Sequence, residues 1–144
     1  MPPYDDLPSL CLVFPGPLRD SLVAAVLSGA KTTTTALLQD YEHAGDPLPA
    51  VGQRSALVDS DERSVAVVEV TEVRILPLKE VDLAHALDEG EGYESVAQWR
   101  AQHERFWHGP LMREALGDPE FTVTDETAVV AERFRVVELL ERTA

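Results

Sequence analysis

Between Pro17 and Ser28 the apolar residues Leu18, Leu22, Val23, Val26 and Leu27 recur at helical spacing. This pattern predicts a first helix. Proline suits its opening position, where the missing amide would have no partner anyway, and Gly29 supplies a left-handed stop. The polar, β-branched run Lys31–Thr35 cannot continue the helix without crowding the preceding turn, so it begins an extended segment. Strands are predicted over Gln53–Asp59 and Ser64–Leu76, joined by the turn signal Ser60-Asp61-Glu62. The stretch SVAVVEVTEV reads as buried on one face and partly on the other. Asp82–Leu87 predicts a short helix that DEGEG (88–92) breaks. A further helix starts at Ser95, where Ser95 and Gln98 have the spacing for reciprocal side chain to backbone caps. Val96, Trp99, His103 and Phe106 line one of its faces, and Thr127–Leu139, with VVAERFRVV alternating, predicts a last strand. FPGP (14–17), GDPLP (45–49) and HGP (108–110) read as turns. Strands at both ends, with helices between them and no regular βαβ alternation, indicate an α+β fold rather than a doubly wound sheet.

The 144 residues fit one domain (1–144), with 1–13 as an N-terminal extension. A chain of this length buries roughly two-thirds of its unfolded surface. No apolar run approaches the ~20 residues that span a bilayer, and MPPYDDLPSL lacks the features of an export signal. The single cysteine, Cys11, lies in LCLVF and reads as a buried structural thiol. These features place the expected location in the cytoplasm. The formal charge of −14, with a pI near 4.5, argues against coating long nucleic acids, whose binding rests on neutralised phosphates. A small neutral ligand is easier to reconcile with that charge, and one recognised base is not excluded.

The stretch GAKTTTT (29–35) is the first candidate for chemistry. The chain has two lysines, Lys31 and Lys79, among its 12 basic residues. One reading is a helix stop followed by a solvent-facing strand, since threonine is a good strand former. The other uses Lys31 as a base or cation and a threonine hydroxyl as nucleophile, because burial readily tunes lysine whereas arginine stays charged. The acidic loop 88–92 is either a solvated turn or a source of a cleft carboxylate. Carboxylates also suit magnesium, but no calcium-loop spacing is present and no metal is assigned. His103 and His108 are five apart, so on a helix they point some 140° from each other. His103 falls on the apolar face as a packed histidine, and His43 and His85 are isolated. No glycine-rich phosphate loop, nucleophile elbow or cysteine–histidine framework is present, and no cofactor is implied.

The segments 15–42, 47–53 (PLPAVGQ), 81–107 and 129–137, taken in order, resemble the activating-signal-cointegrator homology (ASCH) family of the PUA-like superfamily. The signature Gly-x-Lys-x-x-Thr is met by Gly29, Lys31 and Thr34, and EGEG and W-R-x-x-H follow at the expected distances. The chain is similar to the longer bacterial form. The resemblance implies an open β-barrel of about six strands with helices packed around it and a cleft alongside. It also implies an association with RNA and modified nucleotides. Short members are amidohydrolases acting on N4-acetylcytidine, and some longer members are ribonucleases. Their working lysine and threonine map to Lys31 and Thr34, and their glutamate maps to Glu89, with Glu91 as the alternative. Where the short form carries an arginine two residues beyond its threonine, this chain has Ala36.

On this reading Lys31, Thr34 and Glu89 are catalytic, with Lys31 taking the proton of Thr34 and Glu89 serving the leaving nitrogen or the base edge. Thr33, Glu91, Arg100 and Trp107 are the substrate-contacting candidates, with Trp107 off the main apolar stripe. The implied partner is a nucleoside or short RNA, with no membrane and with a monomer or homodimer both open. The alternative is an RNA-binding module or a ribonuclease acting on single strands, which requires arginines such as Arg54, Arg74, Arg100 and Arg105 to converge. One geometric demand follows. Lys31 and Thr34 would point to opposite faces of a regular strand, so the paired role requires an irregular backbone between Gly29 and Thr33.

Overall fold

A computed structural model of the chain describes residues 7–10, 12 and 14–140; Cys11 lies outside them. Five strands form one open mixed sheet: β1 (Ser9–Leu10), β2 (Thr33–Leu37), β3 (Arg54–Val58), β4 (Ser64–Pro77) and β5 (Ala128–Leu139). Their order is β1-β3-β4-β5-β2. The fold is α+β, and the open sheet has five strands among the described residues where the resemblance implies about six. Five helices pack around the sheet: α1 (Pro17–Ser28), α2 (Leu38–Ala44), α3 (Leu83–Asp88), α4 (Val96–Trp107) and α5 (Pro110–Leu116). Among the described residues no helix is long and apolar enough to cross a membrane.

The antiparallel pair β4–β5 is the spine. Register shifts at Val67/Val68 and Val70/Glu72 insert extra residues there, which bends the pair and increases its twist. The two ends of the spine take different neighbours. The first half of β4 pairs with β3, whereas the first half of β5 pairs with β2, Thr33 opposite Arg133 through Leu37 opposite Val129. Short β1 adds in parallel to β3, inside the segment read as an N-terminal extension.

Two cores follow from this curvature. Leu22, Val23 and Val26 of α1 pack on Leu57, Val65, Val68 and Phe134 of the sheet. On the other side Leu37 and Val129 meet Ala86, Trp99, Trp107, Met112 and Leu116 of α3, α4 and α5. Trp107 is 3% exposed and edge-on to Trp99. It therefore belongs to the buried face of α4, contrary to its expected position off the stripe. Ser95 caps α4 by accepting from the Gln98 amide, but the Gln98 side chain accepts from Glu94, one residue upstream of the expected amide.

Candidate active site around a buried carboxylate

α1 ends as its sequence dictates. Gly29 takes φ 87°, and the Lys31 amide donates to the Ala25 carbonyl at 3.0 Å, folding the chain back across the helix end. The ladder of β2 begins only at Thr33. Lys31 therefore precedes the strand, and the alternation that would send it and Thr34 apart does not apply to it.

The acidic loop is clamped onto this turn. The Thr32 amide donates to the Asp88 carbonyl at 2.8 Å. Gly90 lies so close that a Cβ there would sit 2.5 Å from the Ala30 carbonyl oxygen, at a φ of +70°. Glycine meets both demands, a left-handed backbone and a near-contact with another main chain. This approach brings Glu89, 1% exposed, against Lys31, 2% exposed.

Glu89 is surrounded by donors. Its Oε1 lies 3.3 Å from Lys31 Nζ and 3.3 Å from His103 Nε2. Its Oε2 accepts from Trp99 Nε1 at 2.6 Å and from Thr35 Oγ1 at 2.7 Å. These contacts fill the acceptor capacity of a carboxylate. Burial opposes ionisation, but the His103 bond, the Lys31 charge and the Trp99 N–H outweigh it and hold the carboxyl well below its ordinary range. Thr35 gives its one proton to Glu89, so His85 Nε2, 2.7 Å from Thr35 Oγ1, carries hydrogen and donates. Desolvation lowers the His85 pKa, consistent with a neutral ring.

Lys31 Nζ meets three acceptors: Thr33 O at 2.7 Å, Glu89 Oε1 at 3.3 Å and Glu89 O at 3.5 Å. Three acceptors match the three protons of an ammonium, so the amine serves as a fixed cation. The expectation that it takes the proton of Thr34 fits this geometry poorly.

A cavity of about 640 Å³ opens beside this cluster. Lys31, Thr34, Thr35, Glu89, Glu91, Tyr93, His103 and Glu132 line its polar wall, with Tyr41, Asp40 and Asp46 nearby and Leu12, Leu22, Phe106 and Met112 on its apolar wall. Glu91 stands beside Glu89. Desolvation raises its pKa, the Lys31 charge opposes that rise, and the Glu89 charge adds to it. Desolvation, Glu91 and Glu89 likewise raise the pKa of Tyr93. Glu89, Glu91 and His103 present ligand atoms within 4.8 Å of one another. On Glu89 Oε1, the oxygen nearest His103, a divalent ion would compete with the Lys31 ammonium.

The family model of the ASCH domain matches residues 11–138. This chain belongs to the ASCH family. It is similar to a crystal structure of an Enterococcus faecalis protein of family model DUF984, at 28% identity over 83% of this chain and 68% of that one, with a TM-score of 0.70. It is also similar in fold to an ASCH domain from Lactobacillus crispatus, at 24% identity over 94% and 82% of the two chains, with a TM-score of 0.78. No match is found among the curated proteins.

In this ASCH domain, Lys31, Thr34, Glu89 and Glu91 share the cavity wall. Two of the substrate-contacting candidates lie elsewhere. Thr33 is fully buried and donates to the His85 carbonyl at 2.8 Å. Arg100 is outside the cavity lining and is held by Glu104 at 2.8 Å and Asp125 at 2.6 Å. Trp107 touches the cavity only as a packed core ring. The cluster also contains Thr35, His85, Trp99 and His103, none of which was a candidate. Their signal lay in i,i+4 spacing: His85 with Glu89, and Trp99 with His103, whose rings stack at 4.3 Å.

Proposed function

We propose that this ASCH domain binds an uncharged nucleoside- or nucleobase-like ligand in the cavity and hydrolyses an amide carried on it. The observation that carries this reading is the meeting of Lys31, Thr34 and Glu89 in the wall of one cavity of about 640 Å³, a size ordinary for small-molecule sites. Thr34, whose hydroxyl has no hydrogen-bond partner among the described residues, is the nucleophile. Lys31, fixed by Glu89, offers positive charge to the oxyanion that forms on the attacked carbonyl. Glu91, with its raised pKa, delivers a proton to the departing nitrogen, while Glu89 stays ionised. Carboxyls pushed apart in this way suit divided acid and anion roles.

The ASCH family has a PUA-like fold suggested to bind RNA, so the competing reading is an RNA-binding module or a ribonuclease. Charge favours the small ligand. Asp40, Asp46, Glu89, Glu91 and Glu132 line the cavity against the cations Lys31 and Arg105, which disfavours phosphates inside it. Both tryptophans border the site, so intrinsic fluorescence reports occupancy. Titration with nucleosides, their 5′-monophosphates and short single-stranded RNAs separates the readings. Nucleosides should bind best and with little salt dependence. Preferential RNA binding that falls steeply with salt would replace this reading with the RNA-binding one.

A further inference from the structure

Glu132 has no part in the chemistry just described, yet it is 7% exposed. Among the described residues its carboxyl forms no hydrogen bond or ion pair. Every fully enclosed side-chain oxygen or nitrogen there has a partner, so the partnerless oxygens of Glu132 open onto the cavity they line. A carboxylate with so little exposure and no hydrogen-bond donor is costly to keep ionised, and the Lys31 charge offsets only part of that cost.

Its position on the sheet is specific. Glu132 of β5 is the register partner of Thr34 of β2. Directly opposed residues of an antiparallel pair share a face, with Cβ atoms about 4.5–5.5 Å apart. Thr34 also lines the cavity with its hydroxyl unpartnered. A free hydroxyl and a free carboxyl thus stand side by side on one wall. Lys31 cannot deprotonate that hydroxyl, because its ammonium is engaged by three acceptors.

We propose that Glu132 is the general base that activates Thr34. This rests on the reading of Thr34 as nucleophile. The Glu132 carboxylate takes the Thr34 hydroxyl proton while Oγ1 bonds to the acyl carbon and the carbonyl π pair moves to oxygen, next to Lys31. When that pair returns, the bond from carbon to the leaving atom breaks. An amide nitrogen leaves with a proton from Glu91, Thr34 is left as an acyl ester, and Glu132 releases the threonine proton to solvent before the second step. Water then attacks the ester, giving one proton to Glu132, and the threonine oxygen leaves as the hydroxyl by taking that proton back. The sum is amide plus water to acid plus amine, with Glu91 reprotonated from solvent.

Lys31 ahead of β2 and Tyr41 of α2 lie close enough to Glu132 to interact with its charge, and Asp40, Asp46 and Glu91 line the same cavity. Desolvation pushes the Glu132 pKa up to about 6, against a downward pull from Lys31. That value is suited to a base working near neutrality.

The test uses p-nitrophenyl acetate as an acyl donor that needs no particular ligand, with acylation of Thr34 followed by peptide mass spectrometry. Thr34→Val supplies the background, and circular dichroism checks that Glu132→Gln is folded. The expected result is acylation of Thr34 in the wild type, rising with pH through a limb near 6 and flat above it. Glu132→Gln should be at least about 100-fold slower and should lack the limb. Acylation in Glu132→Gln at the wild-type rate, a wild-type profile without the limb, or no acylation of Thr34 would each overturn the proposal. N4-acetylcytidine hydrolysis measured in parallel tests the amide reading separately. Glu132-dependent acylation without that hydrolysis sinks only the amide reading, and hydrolysis indifferent to Glu132 sinks only this inference.

Discussion

Lys31 and Glu89 face each other across 3.3 Å with side chains no more than 2% exposed. In a pair this deeply buried each charge offsets part of the cost of burying the other. Removing one leaves an uncompensated charge, which typically costs about 3–5 kcal/mol, whereas removing both together can be close to neutral. Lys31→Met should therefore lose stability on that scale in urea titration. The double variant Lys31→Met/Glu89→Gln should lose much less than the two single changes summed.

Gly90 and Gly92 are both left-handed, at φ 70° and 85°, but only Gly90 has main chain where a Cβ would go. Alanine at Gly92 should cost about 1 kcal/mol, the usual penalty for placing a side chain in this conformation. Alanine at Gly90 should cost clearly more and should displace Glu89 from Lys31, because the clash is with the backbone of Ala30 and Lys31. Thermal melts of both variants, with ligand titration by tryptophan fluorescence, check the contrast.

Much of this architecture was legible in the chain. Pro17, the apolar spacing and Gly29 define α1, and Ser95 opens α4. Of the short helices α3 was legible but α2 and α5 were not read: α2 buries no residue and so has no apolar stripe. The α5 signal was present and underused, since Pro110 holds an early helical position and Met112 and Leu116 are buried four residues apart. At the site, the signature gave Lys31, Thr34 and Glu89, but the partners of Glu89 come from three separate elements. Thr35, Trp99 and His103 acquire meaning only when Gly90 docks the acidic loop on the end of α1. The pairing of Glu132 with Thr34 depends on a β2–β5 register that no local pattern encodes.

Trp99 donates to Glu89 Oε2 at 2.6 Å. Trp99→Phe keeps most of the ring and removes that donor. It should cost about 1–3 kcal/mol through the weakened carboxylate environment and should raise the Glu89 pKa. Chemical denaturation at neutral pH, together with an acid titration of stability, measures both effects. The ionised Glu89 stabilises the fold above its unfolded pKa, and in the variant that contribution should be lost at a higher pH as acid is added.

The sign is opposite for Glu132. Its pKa rises from 4.5 to about 6 on folding, so the folded state holds the extra proton and stability falls as pH climbs through that interval. Glu132→Gln removes the penalty. It should match the wild type near pH 4 and exceed it by about 2 kcal/mol at pH 8. A residue kept for activity at the expense of stability behaves in this way, whereas a residue kept only for packing would lose stability when replaced.

The most direct measurement is release of acetate from N4-acetylcytidine by the wild type and by Thr34→Val, a replacement of nearly equal shape at a hydroxyl that holds no hydrogen bond to a described residue. The wild type should turn the compound over, and Thr34→Val should remain folded and be slower by at least about 100-fold. Equal rates in the two proteins, or no turnover by either, would contradict the account.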